Sequence, residues 1–124
     1  MARRFLILAA LSGMLLVILG AFGAHALEAR LPPGHLAWWQ KAVNYQGLHT
    51  LALLGVGLLA LHQPGRALSA AGWLFLTGIL LFSGSLYTLA LTDLRTLGMV
   101  TPFGGTAFIA GWIALALAAW RLPR

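Results

Sequence analysis

The stretch WWQKAVNYQGLHT, from Trp38 to Thr50, decides how the rest of the chain is interpreted. Four of its polar side chains lie at or just inside the start of a segment that is otherwise aliphatic: Asn44, Gln46, His49 and Thr50. Polar groups are costly in lipid unless they find partners, so they mark either a contact between helices or a binding site. The sequence therefore indicates a membrane protein with a polar feature inside it.

The composition places the chain outside the range of soluble domains. Of its 124 residues, 60% are hydrophobic and only 8% are charged, whereas soluble domains carry about 25% charged residues. The mean hydropathy is +0.90. We expect a single membrane domain that covers residues 1–124, because so short a chain has no room for a second one.

The net charge of +6 comes from eight basic and two acidic residues. The basic residues are spread along the chain and lie mostly at the ends of apolar spans, which is typical of anchoring to anionic headgroups. We therefore expect membrane lipids and no nucleic acid as partners. The chain has no cysteine, which excludes disulfides, thiolate metal sites and cysteine nucleophiles.

The hydropathy pattern predicts an all-α integral membrane bundle of four transmembrane helices with short loops. The segment Leu31–Gly34 contains two prolines and is predicted to be irregular, and residues 36–41 are predicted to form a short interfacial segment between helices 1 and 2. In the fourth span, Thr101 is the predicted N-cap, with Pro102 at the first helical position. The predicted spans are residues 5–27, 43–61, 67–91 and 102–120.

The first span also admits a second interpretation. Its basic start and the triplet Ala24–His25–Ala26 imitate a secretory signal with a cleavage site. However, the apolar run from Phe5 to Leu27 has the length of a membrane span, which favours a retained helix. Five basic residues then fall on the side of the N-terminus and three on the opposite side, so the bias predicts an N-in, C-in, multi-pass protein of the bacterial inner membrane.

Small residues recur at helical spacing on several of the predicted spans. In lipid, helices associate through close packing, and small side chains let the backbones approach. The span that starts at Pro102 carries a continuous seam, and we expect its surplus packing surface to support a homo-oligomer or contacts with other membrane proteins. The predicted packing glycines are Gly13, Gly20, Gly84, Gly104 and Gly111.

On this topology, polar residues from all four spans converge on the outer half of the bundle. One interpretation is a hydrogen-bonded plug, in which Gln46 and His49 bond Ser83 or Tyr87 across the interface. The other is a ligand-binding site, in which His25 and His49 are the only candidate metal or haem ligands. No histidine spacing supports a metal site, and we predict no cofactor. The candidate residues are His25, Asn44, Gln46, His49, Ser83 and Tyr87.

Catalytic motifs are missing from the sequence. Ser83 or Ser85 with His49 and Asp93 would make a triad, but no nucleophile elbow surrounds either serine. Transport is weakly supported, since there is no buried acid or base to couple ions and no inverted repeat. We therefore expect a non-enzymatic protein that self-associates or acts as a scaffold. The alternatives are a membrane module that binds lipid, quinone, haem or metal, and a small-solute pore formed in an oligomer.

Four sequence blocks resemble a known family. They are GAFGAHAL at 20–27, AVNYQGLHTLALL at 42–54, FSGSLYTLALT at 82–92 and TPFGGTAFIAGW at 101–112. In this order they are similar to the YgdD-like family (DUF423/UPF0382), which consists of small bacterial inner-membrane proteins of unknown function with eukaryotic relatives. The resemblance implies a four-helix membrane fold, and it brings no activity, substrate or cofactor.

Overall fold

A computed structural model describes all 124 residues, and the chain is helical almost throughout. Helix α1 ends in a π-helical turn at Gly23–Leu27, and a second π-helical turn at Ile79–Ser83 joins α3 to α4 in one continuous segment. A short 3₁₀ helix, Arg95–Met99, precedes the last helix. The helices are α1, Ala2–Phe22; α2, Pro33–Ala60; α3, Arg66–Gly78; α4, Gly84–Thr92; and α5, Thr101–Trp120.

Consecutive segments run antiparallel to each other, and neighbours in sequence are neighbours in space. Helix α1 packs along α2, α2 packs on α3 and α4, and α3 packs along α5. Both chain termini and the turn at 61–65 lie at one end of the bundle, which we name the terminal end. The connections at 28–32 and 93–100 lie at the opposite end.

Three helical segments are long and apolar enough to cross a membrane: Ala2–Leu27, Arg66–Thr92 and Arg95–Trp120. Helix α2 is not among them, although it is the longest helix, with 28 residues. The polar residues Asn44, Gln46, His49 and Thr50 lie around its middle, and they lower its hydropathy. The prediction of an all-helical membrane protein is confirmed, and three of the four predicted spans are long and apolar enough to serve as such.

Helix α2 begins ten residues earlier than the predicted span. Pro32 is extended, with φ −56° and ψ 154°, and Pro33 is the first helical residue. Proline is well suited to this position because the first helical N–H has no partner within the helix. The prediction of an irregular segment is therefore wrong for Pro33 and Gly34, and residues 36–41 continue directly into the rest of α2.

Aromatic side chains packed against glycines form the core. The ring of Phe5 lies against Gly72, Phe108 lies against Gly78, and a Cβ atom on Gly111 would come within 2.7 Å of Phe75. All three phenylalanines are at most 3% exposed. The aliphatic residues around them are Leu53, Val56, Leu68 and Ile79.

The predicted packing glycines differ in how closely their neighbours approach. Gly104 lies directly against the backbone of Phe82, and a Cβ there would also lie 2.7 Å from the Cα atom of Phe82. Cβ atoms on Gly13 and Gly20 would make ordinary contacts at 3.8 and 3.7 Å. Gly104 and Gly111 therefore pack within the chain, and the homo-oligomer stays a prediction.

Two further local predictions are wrong. A Cβ atom on Gly84 would have no neighbour within 4 Å, because the π-helical turn just before it shifts the helix face by one residue and turns Ser83 inward instead. Thr101 does not cap α5. It is the first residue of that helix, and its hydroxyl bonds Ser85 at 2.6 Å.

The helix ends opposite the terminal end are tied together by polar contacts. Asp93 closes α4 in the left-handed conformation, with φ 55°. Its carboxylate accepts a bond from Arg95 Nε at 3.1 Å and lies 3.4 Å from His35 Nε2. His35 Nδ1 donates to the carbonyl of Ala90 at 3.1 Å. The start of α2 is therefore held against the end of α4.

Substitution of Gly104 tests the close approach of α5 to the continuous segment α3–α4, residues 66–92, which we name the central segment. We expect Gly104→Ala to lower the free energy of unfolding by about 1–3 kcal/mol, because the added methyl overlaps the rigid backbone of Phe82 rather than a flexible side-chain end. The measurement is unfolding in detergent, followed by circular dichroism.

Gly105→Ala is the matched control. A Cβ there would meet Phe82 only at 3.8 and 3.9 Å, so this variant should unfold like the wild type or slightly later, as alanine favours helix. Equal stability of the two variants would contradict the close contact.

Candidate functional site

The side-chain amide of Gln46 lies at the centre of a buried polar layer. Its Nε2 donates to the carbonyl of Ser12 at 3.1 Å and to the hydroxyl of the same residue at 3.3 Å. Its Oε1 accepts a bond from the Tyr87 hydroxyl at 2.6 Å. The Ser12 hydroxyl also bonds that of Thr50 at 2.6 Å. One amide thereby joins α1, α2 and α4.

Ser83 makes a second contact between helices beside this layer. It is the last residue of the π-helical turn and is 1% exposed. Its hydroxyl donates to the backbone carbonyl of Ala42, on α2, at 2.8 Å. No buried side-chain nitrogen or oxygen in the structure lacks a hydrogen-bond partner. The polar layer is therefore complete without an added ligand.

Both ring nitrogens of His49 are occupied. Nδ1 bonds the carbonyl of Tyr45 at 2.7 Å, and the indole Nε1 of Trp112 donates to Nε2 at 3.0 Å. A carbonyl can only accept and an indole N–H can only donate. His49 is therefore the neutral tautomer with its proton on Nδ1, and its one free lone pair is taken by Trp112.

The two hydrogen bonds of His49 oppose metal or haem binding at this residue. A metal would need the Nε2 lone pair, and binding would leave the indole N–H of Trp112 without its acceptor. No group of three or more histidine, aspartate or glutamate side chains is close enough to hold a metal ion. His49 therefore acts as a bridge between α2 and α5.

The structure brings together only part of the predicted cluster. Gln46 and Tyr87 bond each other, whereas the predicted bond from His49 to Ser83 or Tyr87 is wrong, since its partner is Trp112. His25 and Asn44 are exposed and make no side-chain hydrogen bond within the chain. The two histidines therefore do not form a common site.

Sequence reasoning missed two members of the hydrogen-bonded network. Ser12 is the only polar side chain between Phe5 and Phe22, and that isolation was the available signal. Trp112 lies one position beyond Gly111 in the small-residue seam, where an indole is readily interpreted as a lipid-facing side chain. Its N–H finds an acceptor only because the seam brings α5 close to the central segment.

An apolar groove opens between α2 and α5 beside His49. It has a volume of about 470 Å³. Its floor is a stack of aromatic rings, in which His49 and Phe108 are nearly parallel with centroids 3.5 Å apart, and Phe82 lies 4.5 Å from Tyr45. The lining residues are Tyr45, Leu48, His49, Phe82, Pro102, Gly105, Thr106, Phe108, Ile109 and Trp112.

The fold and the site together define a class: a small helical membrane protein with a satisfied polar layer and a side groove. Comparison with known proteins gives the family. The profile described as "Protein of unknown function (DUF423)" matches residues 19–105. The chain belongs to this family, and the resemblance noted from its four sequence blocks is confirmed. It is a multi-pass protein of the bacterial cytoplasmic membrane.

Several relatives are similar over almost the whole chain. A UPF0382 membrane protein of Staphylococcus haemolyticus is 47% identical over 119 residues, which cover 96% of this chain and 97% of the relative. YwdK of Bacillus subtilis is 47% identical over 93% of this chain and 94% of its own. The UPF0382 inner membrane protein YgdD of Escherichia coli is 43% identical over 99% and 94%. No solved structure matches the chain.

Replacement of Gln46 tests the polar layer. Gln46→Leu leaves the Tyr87 hydroxyl and the Ser12 hydroxyl without the amide that joins them, so we expect the free energy of unfolding to fall by about 0.6–2 kcal/mol. Thermal unfolding in detergent is the measurement.

Gln40→Leu provides the control, because Gln40 is an exposed glutamine on the same helix with no hydrogen-bond partner in the chain. It should leave the melting curve unchanged. If Gln46→Leu also melts like the wild type, the amide does not contribute to stability.

Proposed function

We propose that this protein is a non-enzymatic, four-span membrane protein that retains one lipid-like amphiphile in the groove between α2 and α5. The observation that carries this proposal is the groove itself, about 470 Å³ with a floor of mutually stacked aromatic rings. Ligand sites in proteins are concave, mostly apolar and largely preformed. The proposal selects the ligand-binding alternative over self-association.

The proposed fourth span is α2. Residues 43–60 of this helix extend over about 27 Å at 1.5 Å per residue, which is close to the roughly 30 Å of a bilayer's hydrocarbon core. Three of its polar side chains, Gln46, His49 and Thr50, are buried against other helices, and the exposed Asn44 lies at the outer end of this stretch. A helix that hides its polar groups in this way can cross a membrane despite its lower hydropathy.

The proposed orientation places the terminal end in the cytoplasm. That end carries five basic residues: Arg3, Arg4, Arg66, Arg121 and Arg124. The opposite end carries Arg30, Lys41 and Arg95 with both acidic residues. The excess of arginine and lysine on the side of the termini supports an N-in, C-in protein.

Single cysteines test this topology cleanly, because the chain has none of its own. Gly34→Cys, Gly65→Cys and Gly98→Cys place a thiol at or beside each of the three connections, where a Cβ atom meets nothing within 4 Å. In intact cells, a membrane-impermeant maleimide should label residues 34 and 98 but reach residue 65 only after lysis. Labelling of residue 65 together with residue 34 would contradict a spanning α2.

The dimensions of the groove match one leaflet. Along α5 its lining runs from Pro102 to Trp112, eleven residues that rise about 15 Å along the helix, and half of a hydrocarbon core of roughly 30 Å is the same length. Trp112 closes the deep end through its bond to His49. A single acyl chain that enters from one side of the membrane fits these limits.

The contacts of the reactive side chains support a protein without catalysis. The hydroxyl of Ser83 donates to a backbone carbonyl, and that of Ser85 bonds Phe82 and Thr101. His49 has no free nitrogen. Asp93 is held by Arg95 beside His35, at the opposite end of α4 from Ser83. No nucleophile lies beside a base that could activate it.

The test is whether a lipid stays bound through purification. Inside a bilayer, acyl chains enter any groove transiently, so only retention shows binding. We expect native mass spectrometry of the detergent-purified protein to show one bound phospholipid. Gly105→Leu should reduce that occupancy at least fivefold, because it places a side chain in the groove where a Cβ atom has room.

Gly84→Leu is the matched control, since residue 84 has open space around it and lies away from the groove. It should retain lipid like the wild type. A wild-type protein that carries no lipid, or equal occupancy in both variants, would contradict the groove as a binding site.

A further inference from the structure

An unpaired cation lies one turn beyond the groove on the same face of α2. Helix α2 advances about 100° per residue, so Lys41 lies about 40° from Tyr45 and about 20° from Leu48 around the helix axis. Both of those residues line the groove. Lys41 is therefore on the same stripe of α2, one turn closer to the membrane surface than Tyr45, and its side chain is exposed.

The depth of Lys41 matches that of a lipid headgroup. The apolar part of α2 begins at Val43, and the half-buried Trp38 precedes Lys41 by about one turn, whereas Trp39 is buried and donates to the Leu19 carbonyl. Tryptophan is enriched at the headgroup level, where lysine also reaches out to water or phosphate. An acyl chain seated in the groove would thus hold its phosphate close to the Lys41 ammonium.

The charges nearby leave Lys41 available. Arg95, another cation near this end of α2, lies over the Trp38 ring at 5.4 Å and donates to Asp93. The two ion pairs of the chain both involve Asp93, and neither includes Lys41. The Tyr45 hydroxyl, one turn deeper, also has no partner in the chain and can donate to a phosphate or ester oxygen.

We infer that the occupant of the groove is an anionic phospholipid, with its headgroup held by Lys41 and Tyr45 and one acyl chain along α5. This inference rests on the proposed function and adds the chemical class of the ligand. A zwitterionic phospholipid would fill the groove equally well, but its own ammonium would offset the attraction of its phosphate to Lys41. The selectivity therefore comes from charge at the mouth, and the affinity comes from the apolar floor.

A competition between headgroups tests the inference. The purified protein is exposed at low ionic strength to equimolar phosphatidylglycerol and phosphatidylcholine with identical acyl chains, and native mass spectrometry gives the ratio of bound species. We expect about fivefold more phosphatidylglycerol on the wild type, the preference typical of one basic side chain near an anionic headgroup. Lys41→Gln should bring the ratio close to one, and Lys41→Arg should preserve it.

Arg30→Gln is the control for general surface charge. Arg30 is exposed in the connection before α2 and does not line the groove, so its loss should leave the ratio unchanged. If the wild type binds a single lipid but shows no preference between the two headgroups, the anionic ligand is wrong and the groove remains a lipid site. An equal fall in Arg30→Gln and Lys41→Gln would also overturn the inference. If neither lipid binds the wild type, the proposed function itself is wrong.

Discussion

The absence of water inside a bilayer is the constraint on which the rest of this structure depends. A buried amide in lipid has to bond other protein groups, since the cost of an unpaired polar group there is several kcal/mol. Gln46 meets this requirement with Ser12 on one side and Tyr87 on the other. Because those partners lie on different helices, satisfying one side chain also fixes how three helices lie against each other.

The sequence allowed the helical membrane fold and the polar residues of α2 to be predicted, but not most of their partners. A run such as Asn44–Thr50 is visible because it interrupts an aliphatic background. Its partners depend on the rotation of the neighbouring helix, which the π-helical turn at Ile79–Ser83 changes by one residue. That turn carries Ser83 to Ala42 and leaves Gly84 in open space. Hydropathy and helical spacing contain no signal for such an insertion.

The glycines show the same division between pattern and packing. Gly104 and Gly111 were found from their spacing, and both meet a neighbour closely. Gly72 and Gly78 were as visible in the sequence, yet their role is clear only from Phe5 and Phe108, which lie far away in the chain. A small residue marks where a backbone can be approached, and the large residue that approaches it decides whether the position matters.

The groove follows from the same aromatic contacts that hold the helices. Helices α2 and α5 both pack on the central segment. The stacked rings of Tyr45, His49 and Phe108 lie between them and form the floor of the groove. At the deep end of the groove Trp112 bonds His49, and loss of that bond would leave a donor and an acceptor unpaired in lipid. In the proposed complex, the exposed Lys41 is the charge that would distinguish an anionic headgroup from a zwitterionic one.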